Sequence, residues 1–287
     1  MSRSDTKILQ FEICILQFMF TNTLNPILLS LGPITIRWYG LFLAIGVLLS
    51  VLIIVRLFKQ NNLRPQNAVD LCVWLIVGGL IGARLGEVLF YEPVYFFSHP
   101  LEILFINHGG LSSHGMTIGL LVTFWIWIRR HYLTPNPSPY KGEGSWKRIA
   151  DILVIPIPLL AAFIRIGNFF NSEILGKATN LSWGVKFPLT DPPLITRHPI
   201  QIYEALVAIS VYCLLFTIYK KKKLSPLFTF HFFLFAYFSS RFVLEFWKAD
   251  YQTSCGISVG QLLSLPFIIY STIWFIKNAK CRMRNAK

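Results

Sequence analysis

Seven apolar stretches dominate this chain, and each is long enough to cross a bilayer. About 20 helical residues are needed to traverse ~30 Å of hydrocarbon. The stretches are residues 35–56, 68–91, 111–130, 149–167, 201–219, 226–246 and 259–277. A soluble protein would have to cover all of them with polar surface, and this chain lacks the material. Only 14% of its 287 residues are charged and 54% are hydrophobic, with a mean hydropathy of +0.55. Soluble domains carry about 25% charged residues. So apolar a chain cannot stay solvated and disordered either. The pattern predicts an all-α polytopic membrane protein with seven transmembrane helices.

The net charge of +14 would suggest nucleic acid in a soluble protein, but its distribution gives another answer. Seventeen basic residues lie on alternate connections: Arg56, Lys59 and Arg64; Arg129, Arg130, Lys141, Lys147 and Arg148; Lys220, Lys221, Lys222 and Lys223; Lys277, Lys280, Arg282, Arg284 and Lys287. The opposite connections are poor in them. By the positive-inside rule the N-terminus is expected outside and the C-terminus in the cytoplasm. No nucleic-acid partner is then required. An extracytoplasmic loop region, about 168–200, is expected between helices 4 and 5. Residues 1–18 read as an N-terminal extension, dispensable or arising from a misassigned start. Residues 131–147, with three prolines and two glycines, read as a cytoplasmic loop insertion. Residues 19–280 form the expected seven-helix domain, and 281–287 a basic cytoplasmic tail. The five cysteines (Cys14, Cys72, Cys213, Cys255, Cys281) have no metal or disulfide spacing and read as apolar filler.

Some charges are not explained by topology. Arg37, Arg84, Glu87, His114, Asp151, Arg165, Glu173, Glu204, Arg241 and Glu245 fall within spans or at their outer ends. A lipid-facing charge costs a few kcal/mol, so such groups are paired, wetted or functional. Arg84 with Glu87 (i, i+3) and Arg241 with Glu245 (i, i+4) could each pair along one helix face. Arg84/Glu87 reads equally as a structural tie or a functional pair, whereas Arg241 reads as functional. Arg37-Trp38-Tyr39-Gly40, the Gly109–Gly115 block, Arg165-Ile166-Gly167-Asn168, and Tyr237, Arg241 and Glu245 all fall at the expected outer face, with Asn171, Glu173, Gly176, Arg197 and His198 in the outer loop. Several arginines with few balancing carboxylates suit an anion, and the guanidinium fork suits phosphate. Beside lipid, the obvious phosphate is a phospholipid head group. His114 reads equally as a hydrogen-bonded structural residue or as a base or polar contact near flanking glycines. Ser112 and Ser113 beside it lack a GxSxG context, which disfavours a serine hydrolase.

The blocks that carry this cluster resemble the prolipoprotein diacylglyceryl transferase family from about Met19 to Phe275. They are Asn25-Pro26-Ile27-Leu28 through Arg37-Trp38-Tyr39-Gly40; Gly109-Gly110-Leu111-Ser112-Ser113-His114-Gly115; Arg165-Ile166-Gly167-Asn168-Phe169-Phe170-Asn171-Ser172-Glu173 with Gly176 and Trp183-Gly184-Val185; Arg197-His198-Pro199-Ile200-Gln201-Ile202-Tyr203-Glu204; and Arg241-Phe242-Val243-Leu244-Glu245-Phe246. The resemblance implies transfer of a diacylglyceryl group from phosphatidylglycerol to the lipobox cysteine thiol of a preprolipoprotein. A thioether forms and glycerol phosphate is released, as the first step of bacterial lipoprotein maturation. It implies no metal and no cofactor, with membrane lipids and the substrate's signal peptide as partners. The location implied is the bacterial inner membrane, active site toward the extracytoplasmic side. By residue, it implies Arg165 and Arg241 as catalytic, His114 as the base, and a phosphatidylglycerol site of Tyr39, Asn168, Glu173, Gly176, Arg165, Arg241 and Glu245. Asp151 and Glu204 match acidic positions that would orient arginines or helices.

The chain departs from the family pattern at three points. The histidine block runs His114-Gly115-Met116 rather than His-Gly-Gly, Ser113 replaces a hydrophobic residue, and Lys248 stands where arginine is common. Two other classes were weighed. An anion transporter or channel would call for internal repeats or broken helices, and neither is visible in the sequence. An inactive scaffold would not need the intact Arg165, Asn168, Glu173, Gly176 and Arg241 set. Deletion of residues 1–18 is expected to leave membrane insertion and transfer to a lipobox peptide unchanged, as measured by fractionation and product mass; loss of insertion would contradict the reading of that segment.

Overall fold

The computed structural model describes residues 20–32, 34–105, 112–132, 146–191, 195–221, 225–249 and 256–285. The 1–18 extension, Gly109–Leu111, most of the 131–147 insertion, Cys14, Cys255 and the last two residues lie outside them. In chain order the elements are β1 (Phe20–Thr21), β2 (Ile27–Leu31), β3 (Ile34–Arg37), α1 (Trp38–Gln60), α2 (Pro65–Phe90), α3 (Pro93–Ser98), a 3-10 turn (Pro100–Leu104), α4 (Ser113–Tyr132), α5 (Trp146–Leu153), α6 (Ile157–Phe170), β4 (Val185–Lys186), β5 (Thr196–Arg197), α7 (Ile200–Lys220), α8 (Phe228–Leu244), a 3-10 turn (Glu245–Trp247) and α9 (Val259–Asn285).

The chain is mostly helical. Five helical stretches are long and apolar enough to cross a membrane: Trp38–Gln60, Pro65–Phe90, Trp146–Phe170, Ile200–Lys220 and Val259–Ala279. The other two expected regions also form helices but are not among the five. α4 is interrupted by Ser, His and Thr and ends on Arg129-Arg130-His131, and α8 has only 17 residues, or about 26 Å of rise. Two details differ from the sequence reading. Residues 34–37 form a strand, so α1 starts at Trp38. The fourth stretch is broken between α5 and α6, where Pro156 and Pro158 remove donors and crowd the preceding turn. That break is the kind a transporter would use, and the sequence reading had not found it.

Residues 51–152 form one compact unit, and residues 1–50 with 153–287 form another. In the first, α2 packs along α4 through glycines four apart. A Cβ on Gly82 would lie 2.5 Å from the Gly115 carbonyl oxygen, and one on Gly86 would lie 2.7 Å from Gly115 Cα. Such close backbone approach suits helices in lipid, where apolar burial adds little drive. Ser112 precedes α4 and its Oγ accepts from the Gly115 N–H at 3.1 Å, capping the helix. This structural role accounts for the serine beside His114. Arg84 is 6% exposed; its Nε donates to the Ile103 carbonyl at 2.9 Å and it stacks over Phe96 at 4.7 Å. The expected Arg84–Glu87 pair is not formed, because the carbonyls of Glu102 and Ile103 hold the guanidinium instead.

In the second unit, α6 packs on α7 through Ala162, Ala205 and Ala208, all 4% exposed or less. A larger cluster of Val154, Val211, Leu215, Phe233 and Leu234 joins α7 to α8. The all-α expectation missed two small sheets. β2 pairs antiparallel with β3, and β1 pairs with β4, which pairs with β5. The β2–β3 hairpin was legible in Ile27-Leu-Leu-Ser-Leu-Gly-Pro-Ile-Thr-Ile-Arg37, two β-rich runs around Gly-Pro. Within the connection between α6 and α7, Arg197 Nε meets Asp191 Oδ2 at 2.6 Å and its NH2 meets Oδ1 at 3.0 Å. This fork holds the Asp191 carboxyl below its usual range, chiefly by hydrogen bonding.

Gly82→Leu is expected to destabilise the α2–α4 packing by about 1–3 kcal/mol, visible as a lower thermal midpoint in detergent. The lowered Asp191 pKa contributes stability that is present above ~3.9 and is lost as pH falls through the folded value. Protease sensitivity of the 170–200 loop is therefore expected to rise below about pH 4, and Asp191→Asn is expected to give that sensitivity at neutral pH.

Candidate active site

The site is built around one buried chain of alternating charges. Arg165 on α6 places its Nε 2.8 Å from Glu204 Oε2 on α7. Glu204 Oε1 lies 2.9 Å from Lys248 Nζ, which is also 3.2 Å from Glu245 Oε2. Glu204, Glu245 and Lys248 are 8%, 7% and 4% exposed. Breaking such a pair by removing one partner costs about 3–5 kcal/mol, because an uncompensated charge stays buried. The alanines of α6 and α7 make the first contact possible, since larger residues would hold the two helices apart.

Arg165 also reaches the loop that follows α6. Its NH1 donates to Asn168 Oδ1 at 3.3 Å, and Asn168 Nδ2 donates to Glu173 Oε2 at 3.1 Å. The other Glu173 oxygen accepts from Asn171 Nδ2 at 3.0 Å. Glu173 sits between two residues in the left-handed region, Ser172 (φ +55°) and Ile174 (φ +57°). For β-branched Ile174 this is strained, at a cost on the order of 1–3 kcal/mol. The surroundings fix it in place. Asn22, fully buried, donates to the Phe169 carbonyl at 2.8 Å and to Ser172 Oγ at 3.2 Å. Thr190 Oγ1 donates to the Ser172 carbonyl at 2.8 Å, and Gln201 Nε2 donates to the Glu173 carbonyl at 2.6 Å.

Gly176 closes the loop onto the charge chain. It bridges to Lys248, with Lys177 N donating to the Trp247 carbonyl at 2.8 Å and Ala249 N to the Leu175 carbonyl at 3.0 Å. A Cβ on Gly176 would overlap the His198 carbonyl oxygen and lie 2.8 Å from His198 Cβ. Tyr39, in the first turn of α1, packs on Gly167, where a Cβ would be 3.0 Å from its ring.

Beside Arg165 lies a small cleft lined by Arg165, Glu204, Tyr237, Ser240 and Arg241 among others. The Arg241 side chain makes no hydrogen bond or ion pair among the described residues, and its carbonyl accepts only from the helix end. The expected Arg241–Glu245 pair is not formed, because Glu245 is held by Lys248. Arg165 and Lys248 are matched by Glu204 and Glu245, with Glu173 joined through Asn168, whereas the Arg241 guanidinium lines the cleft without a direct partner among the described residues. Arg197, also expected at the outer face, is committed to Asp191.

Seven of the expected positions therefore fall in one unit: Tyr39, Arg165, Asn168, Glu173, Gly176, Arg241 and Glu245. His114 belongs to the other unit. It is exposed in the first turn of α4, with Nδ1 3.3 Å from the Tyr91 hydroxyl. The sequence reading did not give a role to Lys248, Asn22 or Gln201. A buried lysine between carboxylates carries no local signal, because its partners are 44 residues away and three residues back.

The sequence pattern of the family described as Prolipoprotein diacylglyceryl transferase matches residues 26–277. The chain is 40% identical over 265 residues to the phosphatidylglycerol–prolipoprotein diacylglyceryl transferase of Tolumonas auensis, covering 91% of this chain and 98% of that protein. It is 38% identical over 269 residues to the protein of that name from Chloroherpeton thalassium, covering 90% and 93%. It is 35% identical over 262 residues to one from Bacteroides fragilis, covering 85% and 90%. With these matches over nearly its whole length, the chain belongs to the prolipoprotein diacylglyceryl transferase family.

Proposed function

We propose that this chain moves the diacylglyceryl group of phosphatidylglycerol to the lipobox cysteine of a preprolipoprotein, at the outer face of a bacterial inner membrane. The observation that carries the reading is the cleft lined by both Arg165, held by Glu204 and Asn168, and an unpaired Arg241. In the reaction the cysteine sulfur attacks the glyceryl carbon that bears the phosphate ester. A C–S bond forms, the C–O bond breaks, and glycerol phosphate leaves with the electron pair. An alkyl phosphate leaves readily only if its charge is met as it develops. Preorganised cationic donors in a site partly shielded from water do this without further reorganisation. Glu204 and Asn168 hold Arg165 in place, so its free amine and the Arg241 guanidinium face the phosphate. His114 is assigned to take the thiol proton. Tyr39, Glu173, Gly176 and Glu245 complete the lipid site.

The proposed topology has seven spans, with α4 and α8 completing the five longer stretches, the N-terminus outside and the C-terminus in the cytoplasm. The alternating basic connections support it. The break between α5 and α6 is the one feature on the side of an anion carrier. Family membership over residues 26–277 weighs against that reading.

Arg165→Ala and Arg241→Ala are each expected to lower transfer to a lipobox peptide by at least about 10²-fold, with membrane expression intact. Near-normal turnover in both, followed by product mass, would contradict the site.

A further inference from the structure

We propose that Gly260, at the start of α9, is a positioning residue that keeps Arg241 unpaired by seating Glu245 away from it. The proposal rests on the reading of the cleft as a phosphate site.

Arg241 and Glu245 are four residues apart, at the end of α8 and the turn that follows. On a continuous helix that spacing brings opposite charges together. Here Glu245 is turned toward the N-terminus of α9. A Cβ on Gly260 would overlap Glu245 Oε1 and would stand 2.6 Å from Cδ and 2.9 Å from Oε2. The carboxylate therefore lies against Gly260 in the first turn of α9, where the helix dipole favours a negative charge. That turn is firmly made. Ser258 Oγ accepts from the Gln261 N–H at 3.1 Å, and Gln261 Oε1 accepts from the Ser258 N–H at 3.0 Å, a reciprocal capping box. Lys248 holds the same carboxylate from the other side at 3.2 Å. With a side chain at 260 the tip of Glu245 must move, and besides Lys248, which already holds it, the cation one helical turn back in sequence is Arg241. Glu245 would then neutralise the charge that the phosphate needs.

Glycerol 1-phosphate, a phosphate ester matching the leaving group, serves as the probe. The full chain is assayed in detergent with phosphatidylglycerol and a lipobox peptide. Gly260→Ala is expected to raise the phosphatidylglycerol KM and to weaken competitive inhibition by glycerol 1-phosphate, each at least tenfold, with a smaller change in kcat. Gly260→Ser, read in the same way, serves if the alanine variant unfolds on heating. The double variant Gly260→Ala/Glu245→Gln carries no carboxylate to meet Arg241. It is expected to regain inhibition to within about threefold of Glu245→Gln alone. A purely packing role for Gly260 would not be relieved by that neutral replacement. Unchanged KM and inhibition in Gly260→Ala, or no recovery in the double variant, would overturn the proposal. Absence of inhibition in the unaltered chain would instead overturn the phosphate reading of the cleft, and the proposal with it.

Discussion

The ion pairs from Arg165 through Glu204 and Lys248 to Glu245 are the contact on which the rest of the site depends. They join α6, α7 and the end of α8 through groups that lipid would otherwise penalise by several kcal/mol. Within the relay each cation has a carboxylate partner, and among the described residues the Arg241 guanidinium at the cleft has none. In the proposed reaction a phosphate would meet one guanidinium already held in position and one without a direct partner. Binding energy and orientation are separated between two residues, which helps a site that must stabilise a leaving group more than a resting lipid.

Around the relay, backbone geometry does the positioning. Gly176 brings the α6–α7 connection into bridge contact with Lys248, and Gly260 lets the Glu245 carboxylate reach a helix end. The left-handed Ser172 and Ile174 aim Glu173 at Asn168, and buried Asn22, Thr190 and Gln201 hold that shape. The strain at Ser172 and Ile174 and the close approach at Gly176 all fall in the loop that follows Arg165 and α6. That is where a fold is expected to spend stability on function.

Much of this was legible in the sequence because the bilayer simplifies the reading. A charge in an apolar run needs a reason, so Arg165, Glu204, Arg241 and Glu245 stood out without coordinates. Helix-forming regions followed from length and hydropathy. Partner choice did not follow. Spacing favoured Arg241 with Glu245 and Arg84 with Glu87, yet tertiary contacts gave Glu245 to Lys248 and Arg84 to backbone carbonyls. Local pairs are worth only about 0.2–0.5 kcal/mol, so a buried partner or a set of backbone carbonyls outweighs them. The proline break before α6 and the β2–β3 hairpin were present as Ile-Pro-Ile-Pro and Gly-Pro signals. A hydropathy window passes over both, because Ile, Leu and Pro raise or barely lower its average.

The account stands or falls on where the phosphate goes. The most direct measurement incubates the purified chain with phosphatidylglycerol of defined acyl chains and a lipobox peptide, and reads both products by mass spectrometry. The expected result is a peptide heavier by one diacylglyceryl group on its cysteine, with one equivalent of free glycerol phosphate. A peptide that gains a single acyl chain, retains phosphorus, or stays unmodified while the lipid is consumed would contradict it.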